Sequence, residues 1–363
     1  MRTPSLGALT WLAAVLLLAI LLTTLHFVMA EPWRLASFSK LLAFEAAEPF
    51  QHRVLLPAIA ATLRGFLPIG EELVFALLEV VAWAALIGVA YKGLEWLEIG
   101  SSTLVRRILA LTFTVPMALH LIVPNLQFKP AYVFQDDLFE LGSWHAEALF
   151  YYPYDLPAAA FTLALVLLML RLAREPSASW LLAYLALFAI ATVNRETTLF
   201  LIPAFAVVCF RVLSPELLTR ALLAQVVLFG VIQGALQWTF SDHLNPSAVV
   251  PGTAYEYHLI RNLWELANPL YLLTFLARFA GGAYIPLLVL RARLDPQLGR
   301  ALVCFSLPLL AFALTMGRIQ ELRIVIEMVP LLWLGALQVV AARPTEALAT
   351  HAARRTAAES NTT

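Results

Sequence analysis

The sequence predicts an all-α, polytopic membrane protein of about ten transmembrane helices, with interfacial helices in its first outer loop. Three observations carry this expectation. Hydrophobic residues make up 61% of the 363-residue chain against 13% charged, and mean hydropathy is +0.81. The apolar residues run in long blocks rather than amphipathic stripes, the pattern of helices surrounded by lipid. Lysine and arginine fall mostly on one side of the topology these blocks define. Net charge is zero with no basic block, so nothing points to nucleic acid as a partner.

Taken in order, the first span is Ala8–Ala30. It is too long for an ordinary signal peptide, although Val28-Met29-Ala30 weakly resembles a cleavage site. From Glu31 to Pro68, Trp33, Leu35, Phe38, Leu41, Leu42 and Phe44 recur at helical spacing among Arg34, Lys40 and Glu45, which predicts a helix lying in the membrane interface. Val54–Leu67 contains Pro57 and Arg64 and is too short to cross a layer that needs about 20 residues, so it is placed outside as a second surface helix. Spans two to ten follow: Leu73–Tyr91, Ile108–Val123, Leu156–Leu172, Trp180–Val193, Thr198–Phe210, Leu217–Phe240, Leu270–Leu290, Ala301–Thr315 and Ile324–Val340.

With the N-terminus in the cytoplasm, 14 of the 24 basic residues fall inside, including Arg106, Arg107, Arg171 and Arg174. Counting Val54–Leu67 as a span would flip most of that set outward, against the positive-inside rule. Ser214-Pro215, Asn268-Pro269 and Asp295-Pro296 each place a capping residue before a proline at a helix start. Residues 1–342 thus form one transmembrane domain with outer loops at 31–70, 125–155 and 241–267, and the tail 343–363 is expected to be disordered and cytoplasmic. Cys209 and Cys304 sit in apolar runs and suit packing rather than a disulfide or zinc.

Sixteen of the 24 acidic residues fall on the outer side. Long outer loops alone can produce that excess, but here the carboxylates cluster with arginines and aromatics in three segments. These are Glu45 to Arg53, with Glu48 and His52; Phe134 to Asp155, with Asp136, Asp137, Tyr152 and Tyr154; and Gly317 to Glu327, with Arg318, Glu321 and Arg323. A fourth element, Asn194-Arg195-Glu196, joins two spans that are short for a bilayer of about 30 Å, so the turn should lie below the outer surface. Carboxylates of this kind can serve as a general base, and arginines can grip an anion in bidentate fashion.

Each residue also has a plain structural reading. Asp155 suits a helix N-terminus, and Arg195 and Glu196 suit the ends of the helices they separate. Arg323 and Glu327 have the i,i+4 spacing of a helix-face pair. Glu79 and Arg278, inside spans, are expected to pair with each other or snorkel. His52, His145, His243 and His258 are dispersed, so no dedicated metal site is expected, while a carboxylate-bound Mg²⁺ or Mn²⁺ stays open.

The acidic first outer loop (Glu45, Glu48) with its interfacial helices, the Asp136-Asp137 pair in the second outer loop and Asn194-Arg195-Glu196 between short spans resemble the GT-C superfamily of integral-membrane glycosyltransferases. The resemblance is architectural and covers most of the first two hundred residues. Family members commonly carry an aspartate motif in the first outer loop, where this chain has only glutamates. The resemblance implies inverting sugar transfer from a polyprenyl-phosphate-linked donor to a glycan, lipid or protein acceptor, on the extracytoplasmic face of a bacterial inner membrane. It implies a carboxylate base, Glu48 first and Asp137 second, with Asp136 and Asp155 as further candidates. Arg53, Arg195, Arg318 and Arg323 would clamp the lipid phosphate, Glu196 and Glu321 would orient them, and His52, Tyr152, Tyr154 and Asn194 would line the substrate. Competing readings are a polymerase or ligase of lipid-linked glycans, and a transporter or flippase, which would call for inverted repeats and midplane charges.

Overall fold

In a computed structural model the described residues are 6–124, 126–129, 134–135, 138–139, 143–146, 149–242, 257–319 and 321–342, with side chains left undescribed at 126–146. The chain is overwhelmingly helical. Among the described residues six helical stretches are long and apolar enough to cross a membrane: α1 (Leu6–Met29), α4 (Glu71–Trp96), the pair α5 (Thr103–Leu111) and α6 (Thr114–Leu121), α7 (Asp155–Arg174), α10 (Pro215–Thr239) and α14 (Pro296–Met316). This is the pattern of an integral membrane protein. Shorter apolar helices are α3 (Leu55–Phe66), α8 (Ala178–Asn194), α9 (Leu201–Cys209) with the 3₁₀ turn Glu196–Phe200 before it, and α15 (Met328–Ala341).

Helix α7 is the axis of the bundle, packing against α4, α8, α9 and α15. Apolar burial alone gives helices little reason to associate in lipid, so close approach through small residues matters more. Ala158, Ala159 and Ala160 form the buried cavity-side turn of α7. Lower down, Gly93 of α4 faces Leu167, where an added Cβ would lie 2.8 Å from the Leu167 side chain. The three predicted proline starts are real helix caps: Ser214 accepts from the Leu217 N–H, Asn268 from Leu270, and Asp295 from Gln297 and Leu298.

Three expectations are corrected. The interfacial helix after α1 is cut short: Ala30–Pro32 is a strand (β1), and only α2 (Phe38–Leu42) is helical before a 3₁₀ turn at Phe50–His52. The second outer loop contributes short strands: β2 (Leu126–Lys129), β3 (Phe134–Gln135), β4 (Leu138–Phe139), β5 (Ser143–Ala146) and β6 (Leu149–Tyr151). β1 and β6 pair in parallel, Glu31 opposite Phe150 and Pro32 opposite Tyr151, which stitches the loop after α1 to the loop after α6. The predicted span Ile108–Val123 falls on α5 and α6 together, one of the six span-length stretches, with a turn between the two helices. The predicted span Leu270–Leu290 is two helices, α12 (Pro269–Arg278) and α13 (Tyr284–Val289), separated by Ala280, Gly281 and Gly282, all at positive φ. Glycine tolerates that backbone at no steric cost. A short amphipathic helix, α11 (Leu259–Leu266), packs against α14 and α12.

The two ends of the bundle carry different chemistry. At one end Arg171 lies over both Trp96 and Trp180 at 5.8 Å, Arg174 donates to the Trp96 carbonyl at 2.8 Å, and Arg107 donates to the Gly7 carbonyl at 2.6 Å. At the other end the C-termini of α1, α8 and α14 and the N-termini of α4 and α7 meet the loops that follow α1 and α6.

Candidate functional site

The site begins with the turn after α8. Arg195 is extended (φ −160°, ψ 139°) and ends the helix. A buried turn must find partners for its polar groups, and this one finds them in three elements. Asn194 donates its side-chain amide to the Tyr154 carbonyl at 3.0 Å, Thr198 donates to the Arg195 carbonyl at 3.3 Å, and Gln233 of α10 donates to the Thr192 carbonyl at 2.9 Å. Asn194 is fully buried and Arg195 only 4% exposed. An arginine held at that depth has to be neutralised locally.

Asp155, the first residue of α7, supplies the counter-charge. Its Oδ1 lies 3.2 Å from Arg195 Nη1 and its Oδ2 lies 3.4 Å from Arg323 Nη1, so one carboxylate bridges two guanidiniums. Arg195 Nη1 also lies 3.3 Å from Glu327 Oε1, which accepts from the Thr197 hydroxyl at 2.6 Å. Arg323 donates in addition to Glu321 and lies over the Tyr152 ring at 3.6 Å. Arg53, from the first outer loop, donates Nε and Nη2 to the two oxygens of Glu196 at 3.1 and 2.6 Å, with its guanidinium 4.7 Å from the Tyr154 ring centroid. Three arginines distant in sequence are thereby fixed side by side.

They face a cavity of about 320 Å³, a size that accommodates a small ligand. Arg34, Arg53, Arg195, Arg318 and Arg323 line it, against two lining carboxylates, Glu196 and Glu321. Trp33, Phe50, Phe150 and Tyr152 form an aromatic wall, and His258, Phe312 and Met316 close the side nearest α14. Asp155 and Glu327 lie behind the arginines. Burial acts to raise the Glu196 carboxyl, but the charge and paired hydrogen bonds of Arg53, with Arg195 nearby, outweigh it and hold the group at about 2. Glu196 is therefore a permanent anion at neutral pH and a poor proton acceptor.

Of the residues predicted from sequence, Arg53, Tyr152, Arg195, Glu196, Arg318, Glu321 and Arg323 line this cavity, and Tyr154, Asp155 and Asn194 brace it from behind. Glu48 and His52 do not line it. They are buried one layer back, flanking the lining residues Pro49 and Phe50, with Glu48 Oε1 3.4 Å from His52 Nε2. Burial lowers the His52 pKa, against the raising influence of Glu48 and Glu196. Among the described residues Glu48 has no guanidinium partner, which separates it from Asp155 and Glu196. Asp136 and Asp137 lie outside the described residues.

Two anticipated pairings are not made. Arg323 does not pair with Glu327, because Leu322–Val325 is a 3₁₀ turn and Glu327 lies just before the start of α15, so α-helical i,i+4 geometry does not apply. Glu79 does not pair with Arg278: it lies 2.9 Å from His26 Nδ1 and accepts from Trp83 Nε1 at 3.1 Å, while Arg278 donates to the Leu119 and Val123 carbonyls. Thr197, Trp33, Arg34, His258, Phe312 and Met316 are site residues that the sequence did not single out, while Glu327 and Phe150 lay in its candidate segments without an assigned role. The stretch Thr197-Thr198 beside Arg195 was the available signal for Thr197; the others come together only through tertiary packing. No group of three or more His, Cys, Asp or Glu suited to a metal ion converges among the described residues.

Comparison with protein-family models, curated proteins and solved structures finds no match for this chain.

Proposed function

We propose that this protein is an integral-membrane transferase that takes a sugar from a polyprenyl-phosphate donor and passes it, with inversion, to an acceptor at the extracytoplasmic face. The observation that carries the reading is the five-arginine lining of one cavity at the end of a bundle of apolar helices. Arginine matches phosphate geometry with paired donors, and a water-poor site strengthens that grip. The leaving group of such a transfer is a lipid phosphate, so cations fixed at its oxygens stabilise charge as it develops.

In the proposed step a carboxylate takes the proton of the acceptor hydroxyl, and the oxygen forms a bond to the anomeric carbon opposite the phosphate. The bond from that carbon to the phosphate oxygen breaks, and the lipid phosphate leaves with the electron pair. Glu48 is assigned as base because, among the described residues, it is the buried outer carboxylate without an arginine partner; it stands one layer behind the lining residues Pro49 and Phe50, where the acceptor hydroxyl would have to reach it, with His52 3.4 Å away. Glu196, Glu321, Asp155 and Glu327 hold the arginines in place. Both chain ends are placed in the cytoplasm, and the helical segments are assigned as ten crossings.

The test is transfer of radiolabelled hexose from a polyprenyl-phosphate-hexose panel by the purified protein in lipid nanodiscs. Wild-type protein is expected to release labelled product and Glu48→Gln to lose about 100-fold or more of that activity, with unfolding temperature unchanged. Undiminished transfer by the Glu48→Gln variant would remove Glu48 from the role, and no transfer from any donor would remove the reading.

A further inference from the structure

The cavity is lined by aromatic side chains as well as by arginines. Its aromatic wall is Trp33, Phe50, Phe150 and Tyr152, and these rings are not equally available. Tyr152 is stacked by Phe50, with ring centroids 5.2 Å apart and planes 15° from parallel, and is covered by the Arg323 guanidinium at 3.6 Å. It is 4% exposed, so its π-faces and that of Phe50 toward it are spent on internal packing. Trp33 and Phe150 differ. The parallel pairing of Ala30–Pro32 with Leu149–Tyr151 sets them together, centroids 4.5 Å apart and planes at 69°, both half-buried and both lining the cavity. An edge-to-face pair of this kind leaves a ring face available to a third partner.

We infer that Trp33 and Phe150 form a ring-binding platform for a pyranose, and so select the sugar, an inference that rests on the proposed sugar transfer. One face of a pyranose carries polarised C–H bonds whose positive ends suit the negative face of an indole. Its rim carries hydroxyls, which suit guanidinium donors, and the exposed Arg34 lies over the Trp33 ring at 5.9 Å from its centroid, so a sugar bound on that face displaces the Arg34 guanidinium to the sugar's rim. Arg53, Arg195 and Arg323 line the same cavity, so one ligand with a phosphate and a ring can engage both sets of side chains. The platform predicts that a sugar phosphate gains affinity from its ring as well as its charge.

The experiment is calorimetric titration of the full chain in nanodiscs with inorganic phosphate, methyl glucoside, and the 1-phosphates of glucose, galactose, mannose and N-acetylglucosamine. At least one sugar phosphate is expected to bind about tenfold tighter than inorganic phosphate. Trp33→Ala should erase that difference while leaving inorganic phosphate within about twofold, which also reports that the variant is folded. Trp33→Phe should keep most of the difference, and Phe150→Leu should reduce it. The inference is overturned if no sugar phosphate exceeds inorganic phosphate, or if the Trp33→Ala and Phe150→Leu variants discriminate like wild type. Binding of methyl glucoside that Trp33→Ala abolishes, without any phosphate binding, would uphold the platform and remove the phosphate reading.

Discussion

Arg53 and Glu196 meet side-on across 143 residues of sequence, both guanidinium donors engaging both carboxylate oxygens at 3.1 and 2.6 Å. The pair lines the cavity, and Glu196 is held as an anion down to about pH 2. Glu196 thus stands where the negative charge of a ligand would stand, and any bound phosphate must compete with it for Arg53.

The first prediction concerns that competition. Glu196→Gln removes the internal anion and should tighten inorganic phosphate binding about tenfold, the scale of one screened charge contact near a protein surface. Arg53→Ala should weaken binding by at least as much. Titration calorimetry reads both, and weaker binding by the Glu196→Gln variant would show that Glu196 assists the ligand rather than opposing it.

A second prediction concerns Asp155, which neutralises Arg195 and Arg323 together. Removing one partner from a buried ion network leaves an uncompensated charge and costs about 3–5 kcal/mol. Asp155→Asn should therefore lower the unfolding temperature in detergent clearly, whereas Arg318→Ala, at an exposed position of the rim, should leave it near wild type. Equal unfolding temperatures for the Asp155→Asn variant and wild type would mean that Asp155 is not the anchor of the arginine cluster.

The third prediction is a pH dependence. The folded state holds Glu196 at about 2, below its ordinary 4.5. A depressed carboxylate stabilises the fold fully above its unfolded value, and that contribution fades as pH falls from about 4.5 toward 2. The difference in stability between wild type and Glu196→Gln should stay constant from neutral pH down to about 5 and shrink below it. A difference that shrinks between about pH 8 and about pH 6 instead would place the titration elsewhere.

Much of this site was legible in the sequence because membrane insertion penalises charge. Arg195 and Glu196 between two short apolar runs, and Arg318, Glu321 and Arg323 before the last one, stood out for that reason, and all five line the cavity. The partner choices were not legible. Arg323 and Glu327 have helix-face spacing, but a 3₁₀ turn sends one to Asp155 and the other to Arg195. Trp33 and Phe150 are separated by most of the first third of the chain, and only the parallel β1–β6 pairing, invisible to periodicity over three residues, brings them together. The break at Ala280–Gly282 escaped because hydropathy does not change across it, although Gly281-Gly282 was its local mark.

The central claim is that the arginine cavity grips the phosphate of a lipid. Its most direct measurement is binding of farnesyl phosphate against farnesol to the purified protein in nanodiscs, in wild type and in Arg53→Ala and Arg323→Ala variants. The account predicts saturable binding of farnesyl phosphate that farnesol does not compete for, weakened about tenfold or more in each variant. Equal binding of farnesol and farnesyl phosphate, or full farnesyl phosphate affinity in both arginine variants, would contradict it.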